Sequence, residues 1–140
     1  MASAAVITAV EARLAANWTH TPIYLPNDVA GGPIDGSAFM VLEFPFASEE
    51  QISLGTPGSR AFREEGSFLV TLCIQIGTGL NPTATPWATW IDALRSVFRG
   101  VQFSGVNTWA PSPPFVNDQS DRGAYLEMSF AVPYYFDITG

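Results

Sequence analysis

The residue types best suited to chemistry are scarce in this chain. Histidine and cysteine occur once each, as His20 and Cys73. A Ser–His or Cys–His nucleophile pair would have to use His20, because an imidazole is the base that takes the proton from the hydroxyl or thiol. His20 lies in "WTHTP", a loop beside a tryptophan, and its expected role is surface or loop packing. A single cysteine cannot make an internal disulfide. Cys73 sits inside an alternating apolar run, where a thiol serves as a small buried hydrophobe, and nothing requires an oxidising compartment. The same inventory leaves almost no ligand stock for zinc or another transition metal.

Carboxylates are the remaining resource, with 13 Asp and Glu in 140 residues. Paired acids can do glycosidase work and clustered acids can hold calcium. The doublets Glu49–Glu50 and Glu64–Glu65 are sequence neighbours, and neighbours on an extended chain point to opposite faces, so neither doublet forms a pair by itself. "NDQSD" (Asn117 to Asp121) resembles the start of a calcium loop but lacks the glycine and the distal glutamate. "GTGLNP" has neither the lysine of a phosphate loop nor a GxGxxG pattern. The expectation is therefore a protein with no catalytic residue, no metal and no cofactor.

The elements that position these residues can be read from periodicity. Ser3 is the expected cap of a helix over residues 3–16, with Ile7, Val10 and Leu14 on its buried face. Pro22 to Asp28 is a short extended piece, and "VAGGPIDG" is a loop. "SAFMVLEFPF" is a strand that turns Met40, Leu42, Phe44 and Phe46 one way and Phe39, Val41 and Glu43 the other. Residues 47–66 then form a long charged hairpin arm or loop. In the next strand Phe68, Val70, Leu72, Ile74 and Ile76 share a face, and Ser67, Thr71, Cys73 and Gln75 share its opposite. A second helix over 86–98 carries Trp87, Trp90, Ile91, Leu94 and Phe98 at i, i+3, i+4 spacing, with Thr85 as its expected cap. "VQFSGVNTW" is a strand, "APSPPFVNDQSDRG" a loop, and "AYLEMSFAVPYYFD" a closing strand whose Pro133 calls for an edge or a bulge. The order predicts a single α+β domain: a mostly antiparallel sheet, two helices packed on one face, and a long charged hairpin arm.

Charge narrows the function classes. The net charge is −7, lysine is absent, and the six basic residues are Arg13, Arg60, Arg63, Arg95, Arg99 and Arg122. A protein that grips nucleic acid neutralises phosphates with clustered Lys and Arg, and no such cluster is present. "MASAAVITAVEARLAANW" lacks the basic start and apolar core of a signal peptide, and no apolar run approaches the ~20 residues of a membrane span. The expectation is a soluble protein made in the cytoplasm, with no membrane partner. Three long segments, 26–36, 45–66 and 109–123, project from a small domain, and loops of that length usually have a function. Without a catalytic constellation, that function is contact with other proteins. The expected contact residues are the charges of the arm: Glu49, Glu50, Arg60, Arg63, Glu64 and Glu65. Trp18 and Trp109, at element edges, are either core lids or interface anchors.

"AVEARLAANWTHTPIYLPND", then "SLGTPGSRAFREEGSFLVTLCIQIGTG", then a helix and the closing "EMSFAVPYYFD" resemble the tail-terminator and minor tail proteins of long-tailed bacteriophages, prophages and gene-transfer particles. The resemblance runs along nearly the whole chain. It implies a structural virion protein, not an enzyme, that forms a homo-hexameric ring. The ring would cap the tail tube, stop its polymerisation and join it to the head-side connector. Its partners would be further copies of itself, the tail tube protein and the connector or adaptor protein. DNA would only pass through the lumen, where an acidic, lysine-free wall does not hold it. Two alternatives stay open: a neck or head-completion protein of the same particle, and a small ligand-binding or enzymatic α+β domain.

Overall fold

A computed structural model describes residues 1–25, 37–117 and 125–140 of the chain. Helix α1 spans Ala4–Asn17 and helix α2 spans Trp87–Val97. The strands are β1 (Ile23–Tyr24), β2 (Phe39–Gln51), β3 (Ala61–Gln75), β4 (Gln102–Phe103), β5 (Val106–Thr108), β6 (Phe115–Asn117) and β7 (Tyr125–Thr139). They form one sheet in the order β1-β2-β3-β7-β5-β4, with β6 on β7. Among the described residues only the β1–β2 pair is parallel. The fold is α+β, with both helices on one face of the sheet.

That face holds the main core. Alternation along the strands brings Met40, Leu42 and Phe44 of β2 together with Phe68, Val70, Leu72 and Ile74 of β3. Met128, Phe130, Val132 and Tyr134 of β7 complete the layer under the helices. Each large apolar side chain buried there contributes about 1.5–3 kcal/mol. Helix α1 presents Val6, Ala9, Val10 and Leu14. The buried row is thus 6, 10, 14, and Ile7, expected on the buried face with Val10 and Leu14, flanks it half-buried. Helix α2 buries Trp87, Ile91 and Leu94, followed by Phe98, while Trp90 is only half-buried. The two helices are tied directly: Arg13 donates from Nε and a terminal nitrogen to the Val97 carbonyl, at 3.0 and 2.8 Å, at the carbonyl-rich end of α2. A smaller cluster of Phe39, Val41, Cys73 and Tyr125 lies on the opposite face, where the Thr71 and Ser129 hydroxyls meet at 2.9 Å.

Several expectations are corrected. Neither expected cap works through its side chain: Ser3 Oγ is buried without a hydrogen bond. At α2 the side chain of Asn81 receives the Thr89 N–H, and the Thr85 carbonyl receives the Trp87 N–H. Ile76 falls beyond the end of β3 and is exposed. The strand expected over 101–109 is a tight hairpin, β4–β5. Ser104 (φ 48) and Gly105 (φ 85) take the two positive-φ positions of its turn. The loop from 110 contains the short strand β6, Phe115–Asn117. Pro133 lies inside β7, paired across from Ser67. Its carbonyl receives the Trp109 N–H, and the Trp109 carbonyl, which would face a donor at 133, instead receives the Gly100 N–H. The ring thus sits where the ladder to β5 ends, and the strand runs on to Thr139. The loop at 29–36, the extended piece beyond Leu25 and most of "NDQSD" lie outside the described residues.

Candidate interaction surface

The expected contact residues all fall on the arm, and the arm is fully built. β2 and β3 stay paired from Phe46↔Ser67 out to Gln51↔Phe62, and β7 continues beside β3 to Ala61↔Thr139. The pairing closes at Arg60, whose N–H and carbonyl exchange hydrogen bonds with Gly140. The result is a three-stranded blade with a short tip over 52–60.

A bulge sets which side chains face out. Glu43 pairs with Leu69 and Phe46 with Ser67, so Phe44 and Pro45 oppose Phe68 alone. The extra residue reverses the alternation beyond it. Phe46, expected beside Phe44 in the core, lands on the outer face, away from the helices, 62% exposed. Gly66 permits the bulge: a Cβ there would meet the Phe46 carbonyl at 2.3 Å and Ala47 Cα at 2.9 Å.

On the inner, helix-covered side of the blade stands Glu64. It is the only buried residue among the six expected contacts, and its Oε2 receives the Tyr134 hydroxyl at 2.6 Å and the Ser3 N–H at 3.2 Å. The carboxylate therefore sits at the N-terminus of α1, where unpaired N–H groups favour negative charge. It satisfies a backbone donor beside which the Ser3 hydroxyl makes no cap bond. Burial first, and the bond to Glu64 second, push the Tyr134 phenol well above its ordinary range. Glu49, across from Glu64, is exposed.

On the outer side Arg63 forms a two-point pair with Asp137, at 2.7 and 3.0 Å, and lies 4.4 Å over the Tyr135 ring. Tyr135 in turn packs against Trp109, rings 5.3 Å apart. The hydrogen bond from Arg63 holds the Asp137 carboxyl below its ordinary range and raises the guanidinium above its own. Arg63 is thus spent within the chain. Glu50, Glu65 and Arg60 have no ion-pair partner among the described residues. Beside the Arg63 row a groove of about 350 Å³ is lined by Phe46, Ser48, Glu65, Ser67, Trp109 and Pro133. Beyond Val41, which pairs with β1, no strand covers the outer edge of β2 among the described residues. Pro45, Glu49 and Glu50 stand along that open edge, the residue types that discourage indiscriminate strand pairing.

The tip is ordered by its own bonds. The Ser59 N–H and hydroxyl both donate to the Thr56 carbonyl, Arg60 Nε donates to the Gly55 carbonyl at 2.9 Å, and the Ala61 N–H donates to Ser53 Oγ. This frame holds out Ile52 and, 95% exposed, Leu54. The apolar tip residues and the outer aromatic row were not among the expected contacts. Of the two tryptophans expected as either core lids or interface anchors, Trp109 is 56% exposed and Trp18 is core.

The other candidates stay apart. His20 stacks on Trp90 at 3.7 Å with the rings nearly parallel, a packing role at the mouth of α2. Among the described residues no group of three His, Cys, Asp or Glu could hold a metal ion, and no helix is long and apolar enough to cross a membrane.

No protein-family model and no curated protein matches the chain. A solved protein chain superposes on it with a TM-score of 0.58 at 20% identity, over 100% of this chain and 99% of that one. The likeness at that identity is one of fold, and it extends over the whole domain.

Proposed function

We propose that this protein is a structural component of a phage-type tail. It is a tail terminator whose copies close into a ring on the end of the tail tube and present a surface to the head-side connector. The reading starts from the sequence resemblance. The observation that supports a contact role is the blade itself: a preformed three-stranded arm, anchored on its inner side by buried Glu64 and Tyr134, with exposed aromatic, aliphatic and unpaired charged groups on its outer side and tip. A ring needs two different surfaces on each copy, because its contacts are head-to-tail. The blade offers two such surfaces at different places, its tip and its outer groove.

Light scattering on the purified protein, alone and with the tail tube protein of the same particle, tests the proposal. The expected result is a hexamer mass, either alone or once tube protein is added. A monomer that ignores tube protein overturns it. Capture by the portal-side connector with no affinity for tube would assign the protein to the neck instead.

A further inference from the structure

We propose that the tip of one blade seats in the outer groove of the next copy. Leu54 and Ile52 would enter between Phe46 and Trp109, and Arg60 would meet Glu65. The inference deepens the ring reading above by naming the subunit contact, and it rests on that reading.

Three observations carry it. First, Leu54 is almost fully exposed on a tip held rigid by its own hydrogen bonds. An apolar knob on a preorganised loop loses little freedom on binding, which is the character of an interface anchor. Second, the same chain carries a recess with apolar walls and a partly polar floor, which includes Ser48, Glu65 and Ser67. Its walls, Phe46 and Trp109, are both more than half exposed, and Pro133 lies between them. Third, the charges are complementary. Arg60 stands at the base of the tip and Glu65 lines the groove, and neither has an ion-pair partner among the described residues.

The occupant is another copy, because knob, recess and the complementary charges all belong to the same chain. Three paired positions, from Ser48 to Gln51, and then three of the tip separate Ser48, in the groove, from Leu54, up to about 20 Å at strand rise, and the paired stretch carries the tip away from its own groove. A knob and a recess at different places on one chain make a head-to-tail contact, which closes into a ring or runs on as a filament.

Disulfide trapping tests this contact. Leu54→Cys and Phe46→Cys are made as two separate proteins, both at exposed positions where the fold does not depend on the side chain. The native Cys73 is fully buried. Mixed under mild oxidation, the two should give a covalent dimer at least tenfold faster than Leu54→Cys mixed with Leu80→Cys, a site exposed elsewhere. With both cysteines in one chain, a ladder of covalent oligomers should appear. In the otherwise native chain, Arg60→Glu should weaken self-association at least tenfold, and adding Glu65→Arg should restore it. If light scattering shows a ring, with or without tube protein, and the 54–46 pair forms no faster than the control, this contact is wrong and the ring reading stands. If the protein stays monomeric throughout, both fall.

Discussion

At the scale of single residues, Glu64 and Tyr134 are the most committed pair in the molecule. The doublet Glu64–Glu65 was legible as two acids on opposite faces. Which one turns inward follows from the alternation of Phe68, Val70 and Leu72 carried back along β3; what local pattern did not name is the partner, Tyr134, 70 positions along the chain. The pair carries a pH signature. The Tyr134 phenol has a higher pKa in the folded chain than in the unfolded one, so its contribution to stability is whole below about 10.0 and is lost as pH rises beyond it. The urea midpoint should therefore fall above pH 10. Tyr134→Phe should reduce that fall while costing about 1–3 kcal/mol at neutral pH, because Glu64 loses a donor. Equal alkaline falls in the two proteins would refute the assignment. The arginines divide in the same way. Arg63 belongs to the fold of the blade, so Arg63→Glu, which sets a third acid beside Asp137 and Glu65, should lower the midpoint of the monomer. Arg60→Glu, which removes only a bond within the tip, should lower it much less, and thermal melts of the two variants separate the roles.

At the scale of elements, the bulge decides what the blade shows. A pure alternation from Met40 onward put Phe46 in the core, and one extra residue at Phe44–Pro45 moved it to the surface. The helices, the long strands and the α+β class were legible because their apolar periods run for many residues. The bulge, the β4–β5 turn and the pairing of β6 were not, because each depends on a partner strand that the local pattern does not name. Gly66 is the exception that a sequence shows without explaining. Gly66→Ala should cost about 2–3 kcal/mol, since the clash is with backbone and neither strand can move without losing register. A urea titration checks this. A loss under about 0.5 kcal/mol would mean that the strands part easily there.

At the scale of the whole molecule, a helix-backed core carries a blade that extends past it, so contact with partners is separated from the packing that keeps the domain folded. Substitutions at Leu54 or Phe46 should then change assembly without changing the melting temperature by more than about 1 °C, because exposed positions away from special backbone contribute little to stability. Assembly measured beside thermal melts is the check. The long β3–β7 pairing has a consequence of another kind. It joins residue 61 to residue 139 and residue 75 to residue 125, with α2 and three short strands lying between them in the chain. β3 therefore leaves the ribosome well before its central partner and waits with an unsatisfied edge. Closing so long a loop is slow, in the millisecond-to-second range typical of sheets built from distant segments. Throughout that interval the half-built sheet is open to the wrong strand, so the yield of active protein should be governed by the race between β7 docking and aggregation more than by the stability of the finished fold.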